Sequence, residues 1–192
     1  MAILSIYMSD ATCETYRTMR EKYIAKFSVE FGINPILLKA IIRHESQNNP
    51  HATRDDKAVL DNPKSWTAEV IRRYAIDTTN TDLVFASIGY PQMLWLTCMD
   101  MGYKEWAVAR GLSWGPESLF CVETGIYWMC KYIKKRILNR YSKVEDIVSA
   151  YNQGNNGWFD LDKDGIKDAN EKYKNQEYVD EVMRFYREYG GK

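Results

Sequence analysis

The stretch NPILLKAIIRHESQNNP, residues 34–50, decides how the chain reads. Asn34 can cap a helix, Pro35 suits its first turn, and no breaker follows until Pro50. On a helix over 35–47, Leu37 and Ile41 stand four residues apart on one line, with Leu38 and Ile42 beside them. The next residue on that line is Glu45, and the polar residues after it stop the helix. An apolar stripe that ends in a carboxylate aims it at the interior or at a cleft wall. Desolvation there disfavours the charged form, so the pKa of Glu45 is expected to shift upward. A carboxylic acid kept protonated near neutral pH is what a general acid requires.

Working outward, nearly every periodic segment has the helical spacing. Residues 11–31 carry Tyr16, Met19, Tyr23, Ile24 and Phe27, a helix ending near Gly32. Segment 52–65 is polar and broken by Pro63, so it reads as a loop, with a short helix over Trp66 to Ile76 beyond it. Met93 to Met101 is helical, ending at Gly102. Pro116 to Leu138 has the strongest amphipathic pattern, through Leu119, Val122, Ile126, Met129, Cys130, Ile133 and Ile137. Its basic end, KYIKKRILNR, suits a helix C-terminus with a solvated face. Ser142 and Glu145 form a capping box opening a helix with Val144, Ile147, Val148 and Tyr151. A last helix, 177–189, buries Val179, Val182, Met183 and Tyr186. Strand is expected only as a short hairpin around 84–90. The class is all-α, in a single domain.

The 192 residues are enough to bury a core, and 45% of them are hydrophobic. Lys+Arg and Asp+Glu both number 26, so the balanced charge gives no support to a nucleic-acid or anionic-membrane partner. Fourteen Tyr and six Trp fit a groove that stacks on sugar rings, although composition alone favours ordinary core and surface aromatics. The opening MAILSIYM has no basic residue, and its apolar run is too short for a signal peptide or a membrane span. Synthesis without a leader, and no membrane insertion, are therefore expected. Cys13, Cys98, Cys121 and Cys130 show no CxxC spacing, and the last three lie in apolar helical patterns, which reads as reduced core cysteine.

Four blocks then occur in order: Glu45-Ser46, Gly89-Tyr90-Pro91-Gln92-Met93, Ala150-Tyr151-Asn152-Gln153-Gly154 and Tyr178-Val179. Together they resemble the soluble lytic transglycosylase family, over residues from about Asn34 to Tyr186. The resemblance implies a goose-type, lysozyme-like α-helical fold and cleavage of peptidoglycan glycan strands. It implies Glu45 as the single catalytic acid/base and Ser46 as a polar supporter beside it. Gln92 would hydrogen-bond substrate, Tyr151 would bond near the acid, Asn152 would hold sugar, and Tyr178 matches the final block's tyrosine. Tyr90 and Pro91 replace the family's usual Leu and Met, and Glu177 stands beside Tyr178 where the family carboxylate usually lies a few residues earlier. The implied reaction protonates the bond between N-acetylmuramic acid and N-acetylglucosamine and closes the muramyl 6-hydroxyl onto C1, leaving a 1,6-anhydro end. One carboxylate suffices because the nucleophile is intramolecular. Glu45 and Gln92 are 47 positions apart, more than the family needs, so about 51–82 reads as an insertion. Its acids Asp55, Asp56, Asp61 and Glu69 leave open a hydrolytic muramidase on the same fold, which would need a second carboxylate.

A second motif is independent of the first. In DLDKDGIKDANE, residues 160–171, Asp160, Asp162, Asp164, Gly165, Asp168 and Glu171 fall on positions 1, 3, 5, 6, 9 and 12 of an EF-hand calcium loop. Ile166 would add its backbone carbonyl. Lys167 stands where paired hands carry an apolar residue, and no second loop exists, so a solitary structural Ca²⁺ site is expected. The resulting expectation is a monomeric phage-type lysin or periplasmic enzyme acting on the bacterial cell wall. A non-catalytic calcium-binding module that only grips glycan is the alternative from another class, and Glu45 argues against it.

Overall fold

The computed structural model describes residues 10–55, 83–159, 167–168 and 171–192. Along these run α1 (Asp10–Phe31), α2 (Pro35–Ser46), β1 (Thr53–Asp55), β2 (Ala86–Ile88), β3 (Met93–Leu94), α3 (Trp95–Asp100) and α4 (Tyr103–Val108). After a 3-10 turn at Pro116–Phe120 come α5 (Val122–Tyr132), α6 (Val144–Gln153) and α7 (Gln176–Glu188). The described chain is therefore mostly helical, as its periodicity predicts. No described helix is long and apolar enough to cross a membrane.

The centre is α5, where Ile126, Trp128, Met129 and Cys130 are wholly buried, as are Ile133 and Ile137 in the π turn that continues it. A helix enclosed on most sides has to be apolar on most sides. Helix α1 lies along α5 and meets it through Ile24 and Phe27, with the Phe27 and Tyr127 rings edge to face at 5.4 Å. Helices α2 and α6 both pack on α7. Asn34 fixes the first of these contacts twice over. Its Oδ1 accepts the Ile36 N–H at 2.9 Å, capping α2, while its Nδ2 donates to Tyr186 Oη of α7 at 3.0 Å. At the other end Gln47 turns left-handed, with φ 51°, and stops α2 directly after Glu45-Ser46.

Several boundaries differ from the sequence reading, each for a local reason. The polar stretch read as a loop supplies β1, whose three exposed residues pair with β2, and β3 completes an antiparallel sheet in the order β1-β2-β3. Met93 and Leu94 belong to that sheet, so the helix expected from Met93 begins at Trp95; beyond Gly102 (φ 91°) it is followed by α4, which the reading omitted. The single helix expected over Pro116–Leu138 is broken at Cys121, which is extended at ψ 124° and exposed rather than in the core. Cys98 and Cys130 are buried free thiols. The capping box also fails. Helix α6 starts at Val144 with Lys143 at its cap and no side-chain capping bond, so Glu145 falls one position too early to reach back to Ser142. The helix expected over 66–76 lies outside the described residues.

The turn between β2 and β3 is tightly determined. Gly89 has φ +72°, and a Cβ there would stand 2.7 Å from the Leu119 carbonyl oxygen. Gln92 also adopts a positive φ of 49°, unusual for a residue with a side chain. This turn faces the C-terminal end of α2.

Candidate active site

Glu45 occupies the last turn of α2, and its side chain is only 3% exposed. Tyr178 of α7 donates a hydrogen bond from Oη to Glu45 Oε1 at 2.7 Å. Arg54 of β1 stands on the other side, with Nη2 3.6 Å from Oε2. Burial pushes the carboxyl above its ordinary pKa, while the Tyr178 bond and the charges of Arg54 and His44 pull the other way; burial wins. Burial and the nearby carboxylate raise the Tyr178 phenol well above its usual range, so it stays a donor.

Around Glu45 lies an open cleft lined by Arg54 and Ser87 from the sheet edge, by Gln92, Met93, Leu94 and Thr97, and by Tyr132, Tyr151 and Asn152. Among the described lining residues Glu45 is the one carboxylate. Asp55 is exposed on β1 and is not part of the lining, and Asp56, Asp61 and Glu69 lie outside the described residues.

The side chains singled out in the sequence have distinct situations. Gln92 is buried, and its Nε2 donates to both the Ala52 and Gly89 carbonyls at 3.0 Å. Two carbonyl partners fix the amide's orientation, because the reverse would set oxygen against oxygen. Any bond from this side chain to a ligand must therefore be accepted by Oε1. Tyr151 donates to the Pro91 carbonyl at 2.7 Å, which ties α6 to the Gln92 turn rather than to the acid. The tyrosine on Glu45 is Tyr178, which does not line the cleft. Asn152 is exposed, with Oδ1 accepting from Asn175 Nδ2 at 3.1 Å. Ser46 is turned away: its hydroxyl bonds the Ile42 carbonyl at 3.0 Å, and it does not line the cleft. Tyr90 and Pro91 are buried behind it, so Met93 and Leu94 supply its apolar wall.

Arg54, Ser87, Thr97 and Tyr132 escaped the sequence reading. Arg54 lies in a three-residue exposed strand with no periodicity of its own, and only the pairing with β2 turns it toward Glu45. No residue pattern within the segment signals that partner.

Of the calcium-loop positions, Asp160, Asp162, Asp164 and Ile166 lie outside the described residues. The segment's two ends come together. Trp158 and Tyr173 form an antiparallel bridge, and Phe159 N–H donates to the Lys172 carbonyl at 2.9 Å. Tyr173 Oη donates to Asp146 Oδ1 of α6 at 2.7 Å. Glu171 is buried at 4% exposure, with Oε2 accepting from the Asp168 N–H at 3.0 Å. Two residues past the bridge, Asn175 bonds both Ser149 and Asn152, so the loop's base is coupled to the cleft wall.

As it stands, the cleft presents one shielded carboxyl able to give and retake a proton, beside amide groups suited to polar substituents. In comparison with known proteins, the chain matches no family model, no curated protein and no solved structure.

Proposed function

We propose that the chain is a peptidoglycan lytic transglycosylase built on a lysozyme-like fold. The observation that carries this reading is Glu45: one shielded carboxyl, held by Tyr178, in a cleft whose described lining contains no second carboxylate. The four sequence blocks support it by resemblance. Protonated Glu45 gives its proton to the glycosidic oxygen as the bond to the muramyl C1 breaks. The resulting carboxylate then takes the proton of the same sugar's 6-hydroxyl, whose oxygen forms the new bond to C1. The environment serves both halves, since burial favours the acid form and the Tyr178 hydrogen bond favours the base form. Gln92 Oε1 and the Asn152 amide are the polar contacts offered to the sugar, and Met93 and Leu94 the apolar ones.

Calcium belongs to the same proposal. Asp160, Asp162, Asp164, Asp168 and Glu171, with the Ile166 carbonyl, would hold it as hard oxygen ligands. Asp168 and Glu171, the two of these that are described, already stand together, the Asp168 N–H donating to Glu171 Oε2 at 3.0 Å. When bound, the ion supplies charge neutralisation and no chemistry. The partner is the glycan strand, the protein acts as a monomer, and the place of action is the bacterial wall, reached with a phage or in the periplasm.

Mass spectrometry of the products from purified peptidoglycan tests this reading. Fragments ending in 1,6-anhydromuramic acid are expected, and their loss in Glu45→Gln. Reducing ends formed with water would instead make the protein a hydrolase that recruits an acid from 51–82. No glycan cleavage with calcium supplied would leave a binding module.

A further inference from the structure

The two oxygens of Glu45 have unequal partners. Tyr178, on Oε1, is buried at 9% exposure and makes a short hydrogen bond. Arg54, facing Oε2, has a side chain 58% exposed and stands 3.6 Å away, too far for a charge-assisted hydrogen bond. An ion pair at that distance, with its arginine mostly in solvent, is readily exchanged by the arginine. Arginine also carries a planar fork of five donors that matches a carboxylate two bonds at a time, and Glu45 satisfies little of it. The other groups acting on Glu45 cannot make such an exchange. Tyr178 and Tyr151 are buried, and His44, on α2 itself, has its Nε2 on Glu181 of α7 at 2.9 Å. Arg54 is the cation of the described cleft lining, and it sits at the open side of the acid.

We infer that the Arg54 guanidinium is the receptor for a carboxylate carried by the substrate, and that its transfer from Glu45 to that carboxylate strengthens the acid's hold on its proton. The inference rests on the glycan-cleaving reading of the cleft. Peptidoglycan offers such a carboxylate from two sources, the lactyl ether of muramic acid and the acidic residues of the stem peptide. While Arg54 stands beside Glu45, its charge opposes burial and weakens the acid's hold on its proton. Once the arginine has turned to the substrate, burial is opposed only by the Tyr178 bond and the smaller pull of His44, and the carboxyl keeps its proton to higher pH. The acid is thereby armed further by the ligand it is to cleave, and glycans without a carboxylate near the scissile bond leave it protonated over a narrower pH range.

Binding and cleavage test this separately. Glycan strands stripped of stem peptide are prepared with the lactyl carboxylates free, or converted to neutral methylamides, and are compared with intact strands. Affinities are measured for Glu45→Gln and for the double variant Glu45→Gln/Arg54→Gln. With Arg54 present, the carboxylate-bearing strands are expected to bind about tenfold more tightly than the neutral ones, the size of one good charge-assisted contact. Without Arg54 the preference disappears. A preference among stripped strands assigns the lactyl carboxylate, and one appearing only with intact strands assigns the stem peptide. Equal affinities for all strands with Arg54 present overturn the inference. The single variant Arg54→Gln should also move the alkaline limb of kcat/KM on neutral strands to higher pH, which a merely structural role would not do. An unmoved limb overturns the arming step. If the unaltered protein cleaves no glycan, the catalytic reading falls, while the binding preference still decides whether Arg54 receives a carboxylate.

Discussion

Glu45 is shaped by opposing influences, and their signs give pH-dependent predictions. Its folded pKa lies above the ordinary 4.5 because burial outweighs the pull of Tyr178, Arg54 and His44. A carboxyl raised in this way contributes stability that is complete below its unfolded pKa and is lost as the pH rises through the folded value. Glu45→Gln, which cannot ionise, should therefore melt higher than the parent protein at neutral and alkaline pH. The difference should vanish on acidification below 4.5, the unperturbed value, and scanning calorimetry across pH checks this. Tyr178→Phe removes the 2.7 Å bond that favours the carboxylate, so the alkaline limb of the activity profile should move upward. Its rate should fall about fivefold, as expected when an acid loses a bond worth roughly 1 kcal/mol. A downward shift of the limb would mean that the tyrosine does not act on the ionised form.

The helices and turns matter for where they end. Helix α2 delivers Glu45 because Gln47 turns left-handed directly after the block, and α7 delivers Tyr178 from its first turn. Between them, the Gly89 turn brings Gln92 and the sheet edge to the same place. A side chain at Gly89 meets both a φ of +72° and a backbone oxygen at 2.7 Å, and neither obstacle can move cheaply. Gly89→Ala should cost about 1–3 kcal/mol from the backbone conformation alone, more with the clash, read as a lower urea midpoint. Gly154 also has a positive φ, 77°, but a Cβ there meets nothing within 4 Å. Alanine at that position should be tolerated better, which makes it the control.

Over the whole molecule, the segment proposed to hold calcium is linked to the cleft wall by Asn175. Asn175 bonds Ser149 on the buried side of α6 and Asn152 at the cleft, just after the Trp158–Tyr173 bridge that closes the segment's base. Ion binding to the folded state adds stability as RT ln(1 + [L]/Kd), about 2.7 kcal/mol at a hundredfold excess over Kd. Chelation should therefore lower Tm, by about 5–10 °C for a chain of this length if the site had been saturated at such an excess. Activity should fall with it, since Asn152 and Tyr178 flank the loosened segment. Asp162→Ala should mimic chelation even in calcium, and full retention of both Tm and activity would overturn this coupling.

By itself the sequence determined the helical class, the cap at Asn34, the end of α2 within two residues of Glu45 and the buried face of α7. Each depends on residues within a few positions of one another, where spacing and local hydrogen bonding decide. The reading was weakest wherever a long-range partner overrode local preference. Thr53–Asp55 is strand only because β2 lies beside it, and the run from Pro116 breaks at Cys121 although its apolar spacing continues. The same limit governs the cleft. The blocks named Glu45, Gln92, Tyr151, Asn152 and Tyr178, but which tyrosine would meet the acid was decided by the packing of α7 on α2. Arg54 belongs to none of these blocks, and the pairing of β1 with β2 carries it to within 3.6 Å of Glu45. A side chain's neighbours across the fold are set by the sum of many burial and pairing energies, and no short stretch of sequence contains that sum.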